Sequence, residues 1–229
     1  MGLAPFFPAS AQTAVVGVTP AATAPDSTAN DDQETLIRKV LIVGDSMTGW
    51  MAERLNAYGV RDGFEVATVV WDGSTIRKWG ASPRLAQIVA EQKPDVVFIS
   101  LGMNELFERN PQKTLGESLD HIIAAMGDTP YIWIGPPSWP GHDDGRVLVD
   151  WLASRLGPHR FFNSFNLELA RQSRTNPHPS RAGIIEWVDD FVTWLPDNSG
   201  LSFPPLIAPA PDAMSRGKVF IYKRMKEQL

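Results

Sequence analysis

Cysteine is absent from the 229 residues, which excludes disulfides, thiolate nucleophiles and zinc sites with cysteine ligands. Long apolar runs are absent too. Nothing approaches the roughly 18 to 20 consecutive apolar residues that span a bilayer, so a soluble chain is expected. Positive charge is in deficit, with 21 Lys and Arg against 26 Asp and Glu and a formal net charge of −5. No basic footprint for a phosphate backbone results, and nucleic acid is not an expected partner. Histidine is scarce, at four residues, so few groups can serve as a general base.

What is present is apolar bulk. Hydrophobic residues make up 43% of the chain and include eight tryptophans, enough to bury the core of one domain at this length. Residues 1–36 stand apart, dominated by Ala, Pro, Thr, Ser and Gly without the patterned burial that offsets the entropy of ordering a backbone. They read as a flexible N-terminal segment. Its "PASAQTA" has the small residues of a signal-peptide cleavage region, with no basic and long apolar stretch before it. Both a periplasmic or secreted location and a cytoplasmic one stay open on that reading.

Residues 37–229 form the expected domain. From Lys39 short β-branched runs, "KVLIVGD", "FEVATVVW", "PDVVFISLG" and "PYIWIGPP", alternate with amphipathic segments such as "TGWMAERLNAYGV", "SPRLAQIVAEQK" and "TLGESLDHIIAAMG". The alternation predicts an α/β protein, a three-layer α/β/α sandwich whose central sheet is mainly parallel and linked by right-handed crossovers. "GRVLVDWLASRLG" adds a helix, "HRFFNSF" a fifth strand, and "SRAGIIEWVDDFVTWL" a late helix with Ile184, Ile185, Trp187, Val188 and Phe191 available for packing. Residues 197–229 begin with turn-forming residues and end basic and weakly patterned, as a C-terminal extension without an assigned role.

In such a sheet, sites form beyond the carboxyl ends of the strands. The first strand ends at Gly44-Asp45-Ser46, the second runs into "WDGSTI", the third into "LGMNEL" and the fourth into "GPPSWPGHDDGR". Ser46 alone is ambiguous. Serine before a helix is a favoured N-cap, and the triplet by itself favours that reading. Asn104 is equally a turn residue, and Gly73 a turn glycine. Taken together, however, the ends of three successive strands supply a nucleophile and donors for a developing oxyanion, two of the three needs of acyl transfer. The base comes from elsewhere. His121 lies within an amphipathic helix and His159 at the entry to a strand, whereas His142 and His178 lie in loops; His178, just before the last long helix, is the favoured base, and His142 a candidate substrate contact.

These residues resemble the SGNH hydrolases, the GDSL-like esterases and lipases, over about residues 39–195. "VGDSMT" is similar to the family's first block, "DGSTI" to its second, "SLGMNEL" to its third and "HPSRAGIIEW" to its fifth. The resemblance implies the flavodoxin-like SGNH fold with a five-stranded sheet. It also implies Ser46 as nucleophile, the N–H groups of Ser46 and Gly73 and the Asn104 amide as oxyanion donors, His178 as base, and no metal or cofactor. Asp45 is expected to bond within the turn.

Two positions depart from the family pattern. Glu105 replaces the aspartate that usually follows the asparagine, leaving the donor amide in place. Thr175 stands three residues before His178, where the family carries the aspartate that orients the imidazole and stabilises its charged form. Three outcomes follow: a Ser-His dyad oriented by a backbone carbonyl or Asn176, a substitute carboxylate from Asp143 or Asp144, or loss of hydrolysis, against which the four retained elements argue.

The expected activity is hydrolysis of short-acyl esters, O-acetyl above all, on a small molecule or a bacterial polysaccharide or peptidoglycan. The alternatives are an O-acyltransferase acting on a glycan through the same acyl-enzyme, and a non-catalytic glycan-binding or assembly module. Trp71, Trp79 and Trp139 fall near the predicted site, where exposed rings suit sugar faces or acyl chains and buried ones are core. Trp71, Trp139 and His142 are the expected substrate contacts.

Overall fold

The computed structural model describes residues 1–2, 36–142 and 144–229. The Ala/Pro/Thr-rich segment with its cleavage-like "PASAQTA" lies outside the described residues, as does Asp143. Among the described residues no helix is long and apolar enough to cross a membrane.

The chain alternates strand and helix: β1 (Lys39–Gly44), α1 (Thr48–Asp62), β2 (Glu65–Trp71), α2 (Ile76–Ala81), α3 (Arg84–Gln92), β3 (Val96–Ser100), α4 (Pro111–Ala125), β4 (Tyr131–Ile134), α5 (Arg146–Leu156), β5 (Phe161–Phe162), α6 (Arg181–Asn198) and β6 (Phe220–Lys223). The strands form one parallel sheet in the order β5-β4-β3-β1-β2-β6. The four central strands are buried almost throughout, because helices cover both faces, and the polar atoms they carry inside include the Thr68 hydroxyl, which finds no partner among the described residues. Helix α1 packs on α6, and α4 lies between α3 and α5, the grouping that right-handed crossovers from this strand order require.

Among the described residues the sheet has six strands where five were expected. The sixth, β6, comes from the C-terminal extension and pairs with β2 from Thr68↔Phe220 to Trp71↔Lys223. Its residues are half-buried or exposed, so "FIYK" carries neither the unbroken apolar run of a central strand nor a clean alternation. Helix α2 also escaped the sequence reading, since six residues are too few to establish a helical period.

The extension is tied down by polar contacts along α1. Arg54, 1% exposed, donates from Nε and Nη2 to both carboxylate oxygens of Asp189 on α6 at 2.8 Å, and from Nη1 to the carbonyls of Ala210 and Ala213. Tyr58 donates to the same carboxylate at 2.9 Å, and Asn56 donates to Ser215 Oγ at 2.8 Å. A buried guanidinium satisfied by one bidentate carboxylate and two carbonyls holds α1, α6 and residues 210–215 in one arrangement.

Candidate active site

Strand β1 must end in glycine. A Cβ on Gly44 would stand 2.1 Å from the Ser100 carbonyl oxygen of the neighbouring β3. The chain then turns: the Asp45 N–H donates to that carbonyl at 3.3 Å, and Asp45 Oδ1 accepts the Met47 N–H at 3.0 Å. Asp45, not Ser46, therefore supplies the side-chain bond at the start of α1. Ser46 caps nothing; its Oγ lies 2.9 Å from His178 Nε2. Asp45 is 1% exposed and its second oxygen has no partner among the described residues. Burial pushes its carboxyl up to about 7 against the lowering effect of the Met47 N–H, and the charges of Glu105 and Asp72 push the same way.

His178 is presented by a loop closed on itself. The Gln172 N–H donates to the His178 carbonyl at 3.1 Å and the Ser180 N–H to the Ala170 carbonyl at 2.7 Å. Arg171 fastens this loop to the one after β4, donating to the carbonyls of Pro177 and, at 2.6 Å, Ser138. Ser180 caps α6 by accepting the Gly183 N–H. The imidazole is gripped from its far side: His178 Nδ1 lies 2.9 Å from Asn176 Oδ1, which also accepts the His178 backbone N–H at 2.9 Å. Asn176 Nδ2 donates to Gln172 Oε1 at 3.1 Å, which leaves Oδ1 as the acceptor facing the ring. A proton on Nδ1 is then the bonded tautomer, and Nε2 keeps its lone pair toward Ser46.

Among the described residues no carboxylate is hydrogen-bonded to His178. Thr175 is exposed and makes no hydrogen bond to the ring. Asp144 lies 3.9 Å from His142 Nδ1, both exposed, and does not serve His178.

The loops after β2 and β3 are clasped together. Gly73 has φ of +61°, which disfavours a side chain, and the position its Cβ would take is already flanked by Met225 Cε at 2.6 Å. Asn104 Nδ2 donates to the Ser74 carbonyl at 2.7 Å, leaving its second amide hydrogen free of that bond. Glu105 accepts the N–H groups of Ile76 at 2.7 Å and Arg77 at 3.3 Å, so it covers the N-terminus of α2 beside the Thr75 cap. The glutamate that departs from the family pattern thus bonds the loop carrying Gly73 to the loop carrying Asn104. Burial raises its carboxyl above the usual range, partly offset by those N–H groups.

The structure corrects the aromatic assignments. Trp71 is 8% exposed and packs edge-on against buried Trp79, whose indole donates to Ser74 Oγ at 2.8 Å. Both rings are core and shape the Gly73 loop from behind; Trp71 presents no face to a ligand. Trp139 is half-buried beside exposed Phe107 and His142, with the Trp139 and His142 ring centroids 5.7 Å and 5.3 Å from that of Phe107. Trp139 and Phe107 line a surface groove with Asn104 and Thr75. His121 is exposed on α4, and His159 is bonded to the Asn198 carbonyl, away from these loops.

A separate cleft of about 190 Å³ opens directly at Ser46 and His178. Its walls include Trp50 and Glu53 of α1 and Arg216, Phe220 and Tyr222 of the C-terminal extension. Sequence reading missed this wall entirely. Residues 132 and more positions apart meet here, and no local pattern marks them.

No protein-family model matches the chain, and no curated protein matches it in sequence. Solved structures do resemble it. TesA is 19% identical with a TM-score of 0.52, over 69% of this chain and 98% of TesA. The psychrotrophic esterase EstA from Pseudoalteromonas sp. is 20% identical with a TM-score of 0.52, over 69% of this chain and 98% of EstA. A two-domain esterase active on acetylated mannans is 15% identical with a TM-score of 0.53, over 76% of this chain and 52% of that one. At these identities the likeness is one of fold.

Proposed function

We propose that this chain, which has the fold of the SGNH hydrolases, is a serine esterase acting through a Ser46 acyl-enzyme. The observation that carries the reading is the relay in which Ser46 Oγ lies 2.9 Å from His178 Nε2 while Asn176 Oδ1 holds Nδ1 at 2.9 Å. A nucleophile, a base with a free lone pair and a group that fixes its tautomer are the arrangement nucleophilic acyl transfer needs.

In this mechanism His178 takes the Ser46 proton as Oγ attacks the ester carbonyl. The N–H groups of Ser46 and Gly73 and the Asn104 amide receive the oxyanion, and His178 returns the proton to the leaving alkoxide. Water, deprotonated by His178, then releases the acid and restores Ser46. Asn176 differs from the usual aspartate in one respect. It orients the ring without a charge to stabilise the imidazolium, so each proton transfer gains less from its third member.

A short acyl group, acetyl foremost, on a glycan is the substrate class we favour. The aromatic groove of Phe107 and Trp139 beside Asn104 supports it, with exposed His142 packed against Phe107, as does the fold likeness to an esterase active on acetylated mannans. The test is turnover of p-nitrophenyl acetate together with covalent labelling by a serine-directed phosphonate. Wild-type protein is expected to turn over the ester and take one label, and Ser46→Ala to do neither. Wild-type protein that does neither would remove the esterase reading.

A further inference from the structure

The cleft at Ser46 is larger than an acetyl group requires. A dry cavity of about 150 Å³ accepts a benzene ring, so about 190 Å³ admits one substituted six-membered ring and not two. Its walls are mixed. Trp50 and Tyr222 are exposed, Phe220 is half-buried, and the Arg216 guanidinium lies over Phe220 with its carbon 4.6 Å from the ring centroid. Arg216 Nε donates to Glu53 Oε1 at 2.7 Å, and the Glu53 side chain is only 15% exposed.

This pair decides between occupants. Arg216 is 66% exposed, so the cost falls on Glu53: an alkyl chain filling the cleft would strip its remaining water and offer it no hydrogen bond, which is unfavourable. An anionic ligand drawn to Arg216 would meet Glu53. A neutral ring bearing adjacent hydroxyls suits both, because the remaining Arg216 N–H groups donate beside a carboxylate that accepts, and each hydroxyl does both. The exposed aromatic faces add an apolar surface for the C–H face of such a ring.

We propose that the cleft between α1 and β6 is a subsite for one neutral sugar ring of the ester's alcohol portion, with the C-terminal extension as its specificity-determining wall. The proposal rests on the esterase reading for its placement beside the reacting bond. Arg54, Asn56 and the β2–β6 pairing hold that wall in position, so the subsite belongs to the folded domain.

The experiment compares kcat/KM for acetylated methyl glucoside and acetylated methyl xyloside with that for p-nitrophenyl acetate and p-nitrophenyl octanoate. The enzymes are wild type, Arg216→Met and Tyr222→Ala, each first checked for wild-type thermal unfolding. The ratio of acetylated glycoside to p-nitrophenyl acetate is expected to fall about tenfold in Arg216→Met, the size of one lost charge-assisted hydrogen bond. An unchanged ratio, or a loss confined to the octanoate, would overturn the proposal. A second arm is independent of turnover. Methyl glucoside or methyl xyloside titrated into Ser46→Ala protein is expected to shift the Trp50 indole N–H resonance, identified by its loss in Trp50→Phe. A shift in Ser46→Ala protein together with no ester turnover by the wild type would retain the subsite and remove the esterase reading; no shift with either glycoside would remove the subsite.

Discussion

Asn176 Oδ1 accepts from both the backbone N–H and, at 2.9 Å, the Nδ1 side of His178, occupying the place a carboxylate takes in the usual triad. Removing that grip frees the ring to rotate and to take the other tautomer. Asn176→Ala is expected to lower kcat/KM on p-nitrophenyl acetate on the order of 10²-fold, and Asn176→Asp to raise kcat by adding the missing charge. Thr175→Asp is expected to change little, since Thr175 is exposed and the ring is already bonded. Steady-state kinetics of the three variants decide this, and an unaltered Asn176→Ala enzyme would rule out the orienting role.

Asn104 carries a second prediction. Its amide bonds the Ser74 carbonyl at 2.7 Å with one hydrogen and has another to offer an oxyanion. Asn104→Ala is expected to reduce kcat by about 10²- to 10³-fold. A rise in KM with kcat intact would reassign the side chain to substrate binding.

Gly73→Ala tests the turn. At φ +61° a side chain costs roughly 1 to 2 kcal/mol, and the new methyl also displaces Met225. Urea unfolding is expected to report that loss of stability, accompanied by slower ester turnover. Full stability and full activity in the variant would show the left-handed turn to be dispensable.

Asp45 sets a pH dependence of stability. Its carboxyl, pushed from 3.8 to about 7 in the fold, keeps a proton that the unfolded chain has already released. The native state binds more protons across that interval, so this group makes stability fall as pH rises from about 4 to about 7, with no further change above. Asp45→Asn is expected to abolish that decline and to gain most stability over wild type at and above neutral pH. Denaturant midpoints measured across the interval check it; parallel pH profiles for the two proteins would sink the assignment.

Arg54 tests the anchoring of the C-terminal extension. Arg54→Met leaves the Asp189 carboxylate with the Tyr58 hydroxyl alone and the carbonyls of Ala210 and Ala213 without their donor. A loss of about 1 to 3 kcal/mol is expected from the carbonyls left without a donor, with faster amide exchange over residues 210–223. Exchange unchanged there would mean the extension is held by other contacts.

Strands β1 to β4 were legible in the sequence because burial on both faces leaves each a mostly apolar, β-branched run, broken only at its ends and by Thr68. Helix α6 was legible through its recurring apolar positions, of which Ile184, Trp187, Val188 and Phe191 are buried and Ile185 is half-buried. Trp71 misled for the opposite reason. A ring beside a predicted site looks the same in sequence whether it faces the ligand or the core.

The sequence by itself determined the order of the parts: a glycine-ended strand delivering Ser46, a glycine turn at 73, an asparagine after the third strand and a histidine before the last helix. Local chemistry dictates each of these. It also placed Asn176 two residues from His178, near enough to reach the ring through its own loop. Only the tertiary structure decided that Ser46 faces His178 instead of capping α1, that Glu105 joins two loops, and that residues 216–222 wall the cleft. Those relationships join positions far apart in the chain, and the sheet, by setting which strand ends lie side by side, brings them within reach.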